Sequence, residues 1–324
     1  MKLSIIIPVY NAEKTINHTV QSILNQLNNR FNIEFIICND GSTDNSLDIL
    51  NNLASEHHEI KLFDNENQGV YKTRNFCFEQ VSGDYVWFID SDDLIIENAL
   101  SIIYEKFNKE EFDVMNFGYV VEKQKDKIEK KFPPYFENCI DGITFLENND
   151  GRLYLWNNIY SINFLKGHSI RFLAKSVSLE DSLFNIEVFS KAKKVICLQK
   201  LLYTYCFNQN SISRTKSIHH LINQGTSSFN VHSSIQDIRN NYKINSKEFN
   251  VINVRLMHSV LGFFYSLLVE KYPLDYIKKM YVLYRENKFL PVKMKNISLQ
   301  LFLFQYIINL RHPFLLLCKI NKKL

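Results

Sequence analysis

The first hundred residues alternate between two hydrophobic periods. Residues 3–9, LSIIIPV, are a continuous apolar run of the kind that a strand buried on both faces needs. Residues 12–28 then place Ile16, Val20, Ile23, Leu24 and Leu27 on one stripe, the spacing of an amphipathic helix. The alternation repeats: strands at 33–40, 60–63 and 85–90, helices at 42–57, 69–81 and 96–108. Ser42 or Thr43 is the expected cap of the second helix, with Asp44 in its first turn. Such alternation predicts an α/β fold: a mostly parallel, Rossmann-like sheet flanked by helices. Further along, 112–121 and 194–207 read as strands and 179–192 as a helix. Beyond residue 216 the strand signal fades, and 218–241, 246–270, 273–287 and 297–310 read as helices. The chain is therefore expected to organise as 1–98, 99–215 and a C-terminal helical region, 216–324.

Composition narrows this picture only a little. The 324 residues are 46% hydrophobic, enough for a substantial core, and the formal net charge of +4 is too small to argue for nucleic acid. Six scattered cysteines without a CxxC pair, most of them within apolar runs, suggest reduced core thiols in a cytosolic compartment. The first apolar run is too short, and ends too soon in a proline, for a signal peptide. No membrane-spanning helix is expected, since polar residues interrupt even residues 299–320.

Residues 85–93, YVWFIDSDD, raise the chemical question. Five mostly apolar residues lead into Asp90, Asp92 and Asp93. In an open α/β sheet, ligands bind beyond the carboxyl ends of the strands. The ends of the first, second and fourth strands carry PVYN, NDGST and DSDD, so these aspartates face Tyr10 and Asp40 across a crevice. Crowded carboxylates repel one another, and oxygen-only ligands suit Mg2+ or Mn2+ with open positions for phosphate oxygens. A solvated strand end followed by a helix cap is the alternative.

SIIIPVYNAEKTINHTVQSILNQ, DGSTDNS, ENQGVYKTRNFCFEQVSGDYVWFIDSDD and SLEDSLFN, spread in order over residues 4–185, together resemble the family 2 glycosyltransferases with a GT-A fold. The resemblance implies a nucleotide-sugar-binding half at 1–98 and an acceptor-binding half at 99–215. It implies that Asp40 accepts a hydrogen bond from uracil, that Tyr10 and Pro8 lie near the base, and that Arg74 lies near the phosphates. It makes Asp92 the chief metal ligand, with Asp90 and Ser91 by the ribose or the water shell of a Mn2+ or Mg2+ ion, and Asp93 orienting its neighbours or capping the next helix. Pro8 is also expected to end its strand. Asp181, in the ED pair with Glu180, becomes the catalytic base of an inverting displacement; two acids in a first turn are equally plain partners of the helix dipole. Arg74 could instead bridge to Asp90.

Trp156, in RLYLWNNIYS, is a candidate wall of the acceptor or sugar pocket or else a core tryptophan. Asn158 replaces the family's usual lysine, and Cys206 stands where arginine is common, which puts the following loop's phosphate contact in doubt; Arg214 is a candidate substitute. The implied reaction moves a sugar from a UDP-sugar to a glycan, lipid-linked or protein-linked hydroxyl. Abundant Asn, Lys and Ile suggest an AT-rich bacterial genome, hence a cell-surface glycan product. A nucleotidyltransferase would need a glycine-rich basic loop after the first strand, and PVYNAEKT has only Lys14. A non-catalytic nucleotide-sugar-binding scaffold would have a broken acidic rim, which this chain lacks.

Residues 291–324 hold six basic residues, no acid, and a dense aromatic and leucine cluster. That composition fits a membrane-surface helix, and equally a helical cap or a homo-oligomer contact. No nucleic-acid partner is expected, because the basic tail is too apolar.

Overall fold

The computed structural model describes the chain apart from residues 29, 125–126, 135, 137–138, 150, 174–178, 208–216, 295–297 and 322–324. It divides into two compact units, Met1–Ala174 with Glu187–Gln209, and Lys175–Ile186 with Asn210–Leu324.

The first unit is built on one nine-stranded sheet: β1 (Lys2–Val9), β2 (Asn32–Asp40), β3 (Ile60–Asn65), β4 (Tyr85–Phe88), β5 (Leu94–Ile95), β6 (Val114–Gln124), β7 (Lys127–Phe132), β8 (Asn158–Ser161) and β9 (Val195–Cys206). The spatial order is β3-β2-β1-β4-β8-β6-β9-β5, with β7 paired to β6. The first four strands are parallel, as their unbroken apolar runs require. Beyond β4 the sheet becomes mixed: β8 runs antiparallel to β4 and β6, while β9 runs parallel to β6. Three strands were not read from periodicity: β5 and β8, whose two and four residues are too few to show a period of two, and β7, whose charged sequence KIEKKF carries little apolar signal.

Helices α1 (Ile16–Leu24), α2 (Ser46–Glu56), α3 (Val70–Glu79) and α4 (Ala99–Phe107) alternate with these strands; α5 (Gly142–Asn148), α6 (Ile162–Gly167) and α7 (Glu180–Lys191) follow. Two boundaries differ from expectation for one reason. Helix α2 starts at Ser46 with Asn45 at its cap position, not with Ser42 or Thr43. Ser42 Oγ instead accepts from Asn11 N, and Asp44 Oδ2 from Glu13 N, knitting the loop after β2 to the loop after β1. Those same loop residues delay the start of α1 to Ile16. Pro8 does not end its strand: β1 continues to Val9, with Pro8 in register with Cys38. Proline is tolerated there because the pairing of β1 with β4 ends at Ile6, so Pro8 interrupts no pairing on that side.

The second unit gathers α8 (Ile218–Asn240), α9 (Lys247–Val269), α10 (Leu274–Glu286), α11 (Leu299–Asn309) and α12 (Arg311–Asn321). Ser217, Ser246 and Ser298 cap α8, α9 and α11, each accepting from the N–H three residues on. Helix α9 is long and apolar enough to cross a membrane by length and composition, with mean hydropathy 1.4. Half of that window is buried, however, and Ile252, Leu256, Phe264 and Leu267 pack inward as in a core helix. Of the six cysteines, Cys38, Cys77, Cys197 and Cys318 are buried, Cys206 is half-buried and Cys139 exposed, and none forms a disulfide.

Candidate active site

The carboxyl ends of β1, β2 and β4 do share one rim, and each loop there is held by hydrogen bonds from another. Asp40 ends β2 and is buried; its Oδ1 accepts from Gln68 N at 2.9 Å and its Oδ2 from Gly69 N at 3.0 Å. These N–H groups belong to the cap residue of α3, Gly69, and the residue before it, so Asp40 fixes the entry to a helix whose start lies about 30 residues away in sequence. The turn that permits this passes through Gly41 at φ +69, where a Cβ would come within 2.6 Å of Asn67 N.

The anchored helix α3 carries Arg74 inward. Its guanidinium is buried, donates to Asp90 Oδ1 at 3.0 Å, and lies 5.5 Å over the Phe172 ring. The bridge to Asp90, one of the two readings of Arg74, is therefore present. Asn75, next to it, clasps the backbone of Phe172 in both directions, at 2.7 and 3.0 Å.

The Asp90–Asp93 loop sorts its carboxylates by depth. Asp90 and Asp92 are half-buried, whereas Asp93 is fully buried. Asp93 accepts from the Tyr203 hydroxyl at 2.8 Å and from Cys206 N at 2.8 Å, both on β9. It therefore orients the loop and caps no helix; α4 begins only at Ala99, after Asn98. Burial, together with the neighbouring Asp90 and Asp92, pushes the Asp93 pKa well above the usual carboxylate range. Tyr203 also accepts from Asp90 N, at 3.3 Å. Helix α1 clamps the other side: Thr19 Oγ1 donates to Ser91 O, and Ser22 Oγ accepts from Ile95 N. Tyr203, Thr19 and Ser22 were not singled out in the sequence; only the inward phase of Tyr203 in the alternation LLYTYC hinted at a buried position.

Tyr10, just past β1, is 41% exposed, an aromatic face open to a ligand. A cavity of about 310 Å3 opens beside Asp92, with Lys14, His18, Glu122 and Phe207 in its wall. Among the described residues, no three His, Cys, Asp or Glu side chains converge as a metal-binding cluster. Asp90 and Asp92 supply oxygen donors only, and few of them, which fits a hard cation that keeps positions for water and phosphate.

The model of glycosyl transferase family 2 matches residues 4–172, more than half of the chain, including Tyr10, Asp40, Arg74 and Asp90–Asp93. The chain belongs to glycosyl transferase family 2. Glycosyltransferase GlyA of Streptococcus pneumoniae is 30% identical over 66% of this chain and 32% of its own length. The uncharacterized glycosyltransferase EpsJ of Bacillus subtilis is 27% identical over 65% and 62%. The chain thus spans just under a third of the first of these relatives and under two thirds of the second. The crystal structure of S. aureus TarS 1–349 in complex with UDP-GlcNAc superposes with a TM-score of 0.72, covering 100% of this chain and 91% of that one at 18% identity, which shows a shared GT-A fold.

Other positions set against the family pattern are less exposed. Trp156 is 5% exposed, stacked on Tyr154 at 4.7 Å and on Tyr203 at 4.6 Å, with its carbonyl accepting from Trp87 Nε1. That environment favours the core alternative over a sugar wall. Asn158, at the family's lysine position, is buried; Asn116 Nδ2 donates to it, and it donates to Tyr154 O. A lysine there would bury an ammonium in a neutral amide network. Cys206, at the arginine position, serves the rim through its backbone N–H to Asp93, and burial pushes its thiol up to about 12. Arg214 lies outside the described residues. Glu180 and Asp181 form the first turn of α7, both half-buried, in the part of the chain grouped with the second unit.

Proposed function

We propose that this family member is an inverting, metal-dependent transferase that moves a sugar from a UDP-sugar to a hydroxyl of a glycan, lipid-linked or protein-linked acceptor. The carrying observation is the rim itself: Asp40 accepts from the backbone at the entry to α3, Arg74 on that helix donates to Asp90, and Tyr203 of β9 holds Asp93, all at the carboxyl end of the sheet. The UDP-GlcNAc bound by the fold neighbour supports a uridine diphosphate donor. Tyr10 offers a stacking face for the base, and Asp40 a carboxylate for the uracil N–H. Arg74 supplies a guanidinium near the diphosphate. Asp92, with Asp90 beside it, would hold a Mn2+ or Mg2+ whose charge stabilises the departing diphosphate. Asp181 takes the proton from the acceptor hydroxyl, whose oxygen attacks the anomeric carbon opposite the leaving group. The C1–O bond to the diphosphate breaks as the new glycosidic bond forms, and the configuration inverts. The six free cysteines support a cytoplasmic setting for this chemistry.

A panel of nucleotide sugars, with Mn2+ and with chelator, scored for UDP release, tests the reading. UDP release from one UDP-sugar, abolished by chelation, is expected. Absence of both UDP binding and UDP release with every nucleotide sugar in the panel would sink it. Asp181→Asn is expected to keep UDP binding and lose about 10²-fold or more in transfer; unaltered transfer removes Asp181 as the base.

A further inference from the structure

The outer faces of α11 and α12 are apolar where a water-facing helix is normally polar. On α11, Leu299, Phe302, Leu303 and Tyr306 follow the i, i+3, i+4, i+7 spacing of one helical stripe. They are 73%, 51%, 53% and 63% exposed. The opposite face, with Gln305 and Ile308, is the one packed inward. Helix α12 repeats the arrangement: Phe314 and Cys318 are buried, while Leu316 and Ile320 are 58% and 48% exposed. Exposed apolar stripes of this kind mark an interaction site, not a solvent boundary. The two helices meet at 106°, and each has 11 residues, roughly 16 Å of helix. Each is too short to cross a bilayer core of about 30 Å, and the bend prevents them from crossing it as one rod.

The charge on the same stretch selects the occupant. Residues 291–324 carry no Asp or Glu, whereas Lys293, Arg311 and Lys319 are exposed among the apolar groups. Lys319 lies next to Ile320 and three residues from Leu316, on the same helix face. Apolar side chains flanked by cations, without acids, match an interface of acyl chains below anionic headgroups. We infer that α11 and α12 form a bent, in-plane anchor that docks the second unit on an anionic phospholipid surface.

Flotation of the full chain with phosphatidylglycerol-containing vesicles, against phosphatidylcholine alone, tests this without reference to sugar transfer. The wild type is expected to float with the anionic vesicles, to bind the neutral ones at least about tenfold less, and to be released by added salt. Phe302→Asp with Tyr306→Asp, and separately Arg311→Glu with Lys319→Glu, are each expected to weaken binding about tenfold or more. All four side chains are exposed, so the helical circular dichroism should stay that of the wild type; should a variant misfold, the salt titration of the wild type still decides. Failure of the wild type to float, equal binding to neutral vesicles, or unaltered binding by both double variants would overturn the anchor. A concentration-dependent dimer that Phe302→Asp with Tyr306→Asp abolishes, without vesicle binding, would assign the face to a second copy and also overturn it.

Discussion

Glu34 near the start of β2 and the Asp90–Asp93 loop beyond β4 put carboxylates at opposite edges of one sheet. Both include a buried acid, yet their surroundings push in opposite directions. Glu34 accepts from Lys2 Nζ at 2.8 Å, Lys61 Nζ at 2.9 Å, Ser4 Oγ at 2.6 Å and Ser82 N at 2.6 Å. Burial alone would raise its pKa; the bonds from Lys2, Ser4, Lys61 and Ser82 outweigh burial and hold the carboxyl well below its usual range. Asp93 also has two good donors, but burial and two adjacent acids prevail, and its pKa rises. Under the proposed function, the difference separates an acid that closes a fold from acids gathered for a ligand. At the amino edge the chain supplies counter-charges from its own lysines. At the carboxyl edge it crowds like charges, an arrangement that becomes favourable when cationic charge is brought there.

The largest test of that contrast is at Asp92. Asp92→Ala is expected to cost transfer about 10²- to 10³-fold and to abolish any dependence on Mn2+, while thermal stability stays near that of the wild type. Steady-state kinetics beside a melting curve would check both halves. A protein equally active without Asp92 would move the rim from the ligand class to the structural class.

Glu34→Gln is the converse experiment. Removing one side of a buried ion pair costs about 3–5 kcal/mol, and the lower end applies here because Lys2 and Lys61 keep 27% and 48% of their side chains in solvent. A loss of about 3 kcal/mol by urea unfolding is expected, with KM for the donor unchanged. In the wild type this contribution is present above the ordinary value of 4.5 and is lost as pH falls towards the lower folded pKa. An altered KM without a stability change would erase the distinction between the two edges.

The two edges were not equally legible in the sequence. The rim could be read because its residues sit in short motifs at strand ends, where polarity interrupts an apolar run: NDGST, DSDD. The four parallel strands were legible for the same reason. Glu34 was invisible, because its partners Lys2, Ser4, Lys61 and Ser82 come from four separate segments that only the folded register brings together. Tyr203 escaped notice likewise, since its hydroxyl meets Asp93 across 110 residues. The cap of α2 was misread because Ser42 and Asp44 bond the β1 loop, a long-range use that local cap preference cannot foresee. The exposure of α11 and α12 was half legible: composition showed apolar and basic residues together, but which of them face outward depends on how the helices pack.

The smallest effect, and the one most specific to the comparison, is at Asp93. A raised folded pKa gives a contribution that is fully present below the ordinary value of 3.8 and is lost as pH rises through the folded value. Glu34 has the opposite sign, so the two edges respond to acid in opposite senses within one sheet. Asparagine at position 93 matches a protonated Asp93 in shape and hydrogen-bonding groups, but it cannot titrate. At pH 7 the variant should lie within about 1 kcal/mol of the wild type, since one hydrogen-bond acceptor is exchanged for relief of repulsion. The wild type should then gain on Asp93→Asn as pH is lowered from 8 towards 5, as measured by urea midpoints at each pH. Glu34 is present in both proteins and cancels from that difference. A gap that stays constant with pH would mean that Asp93 does not titrate differently from a free carboxyl. The rim would then be as well compensated as the amino edge, and the contrast between the two edges would have no basis in charge.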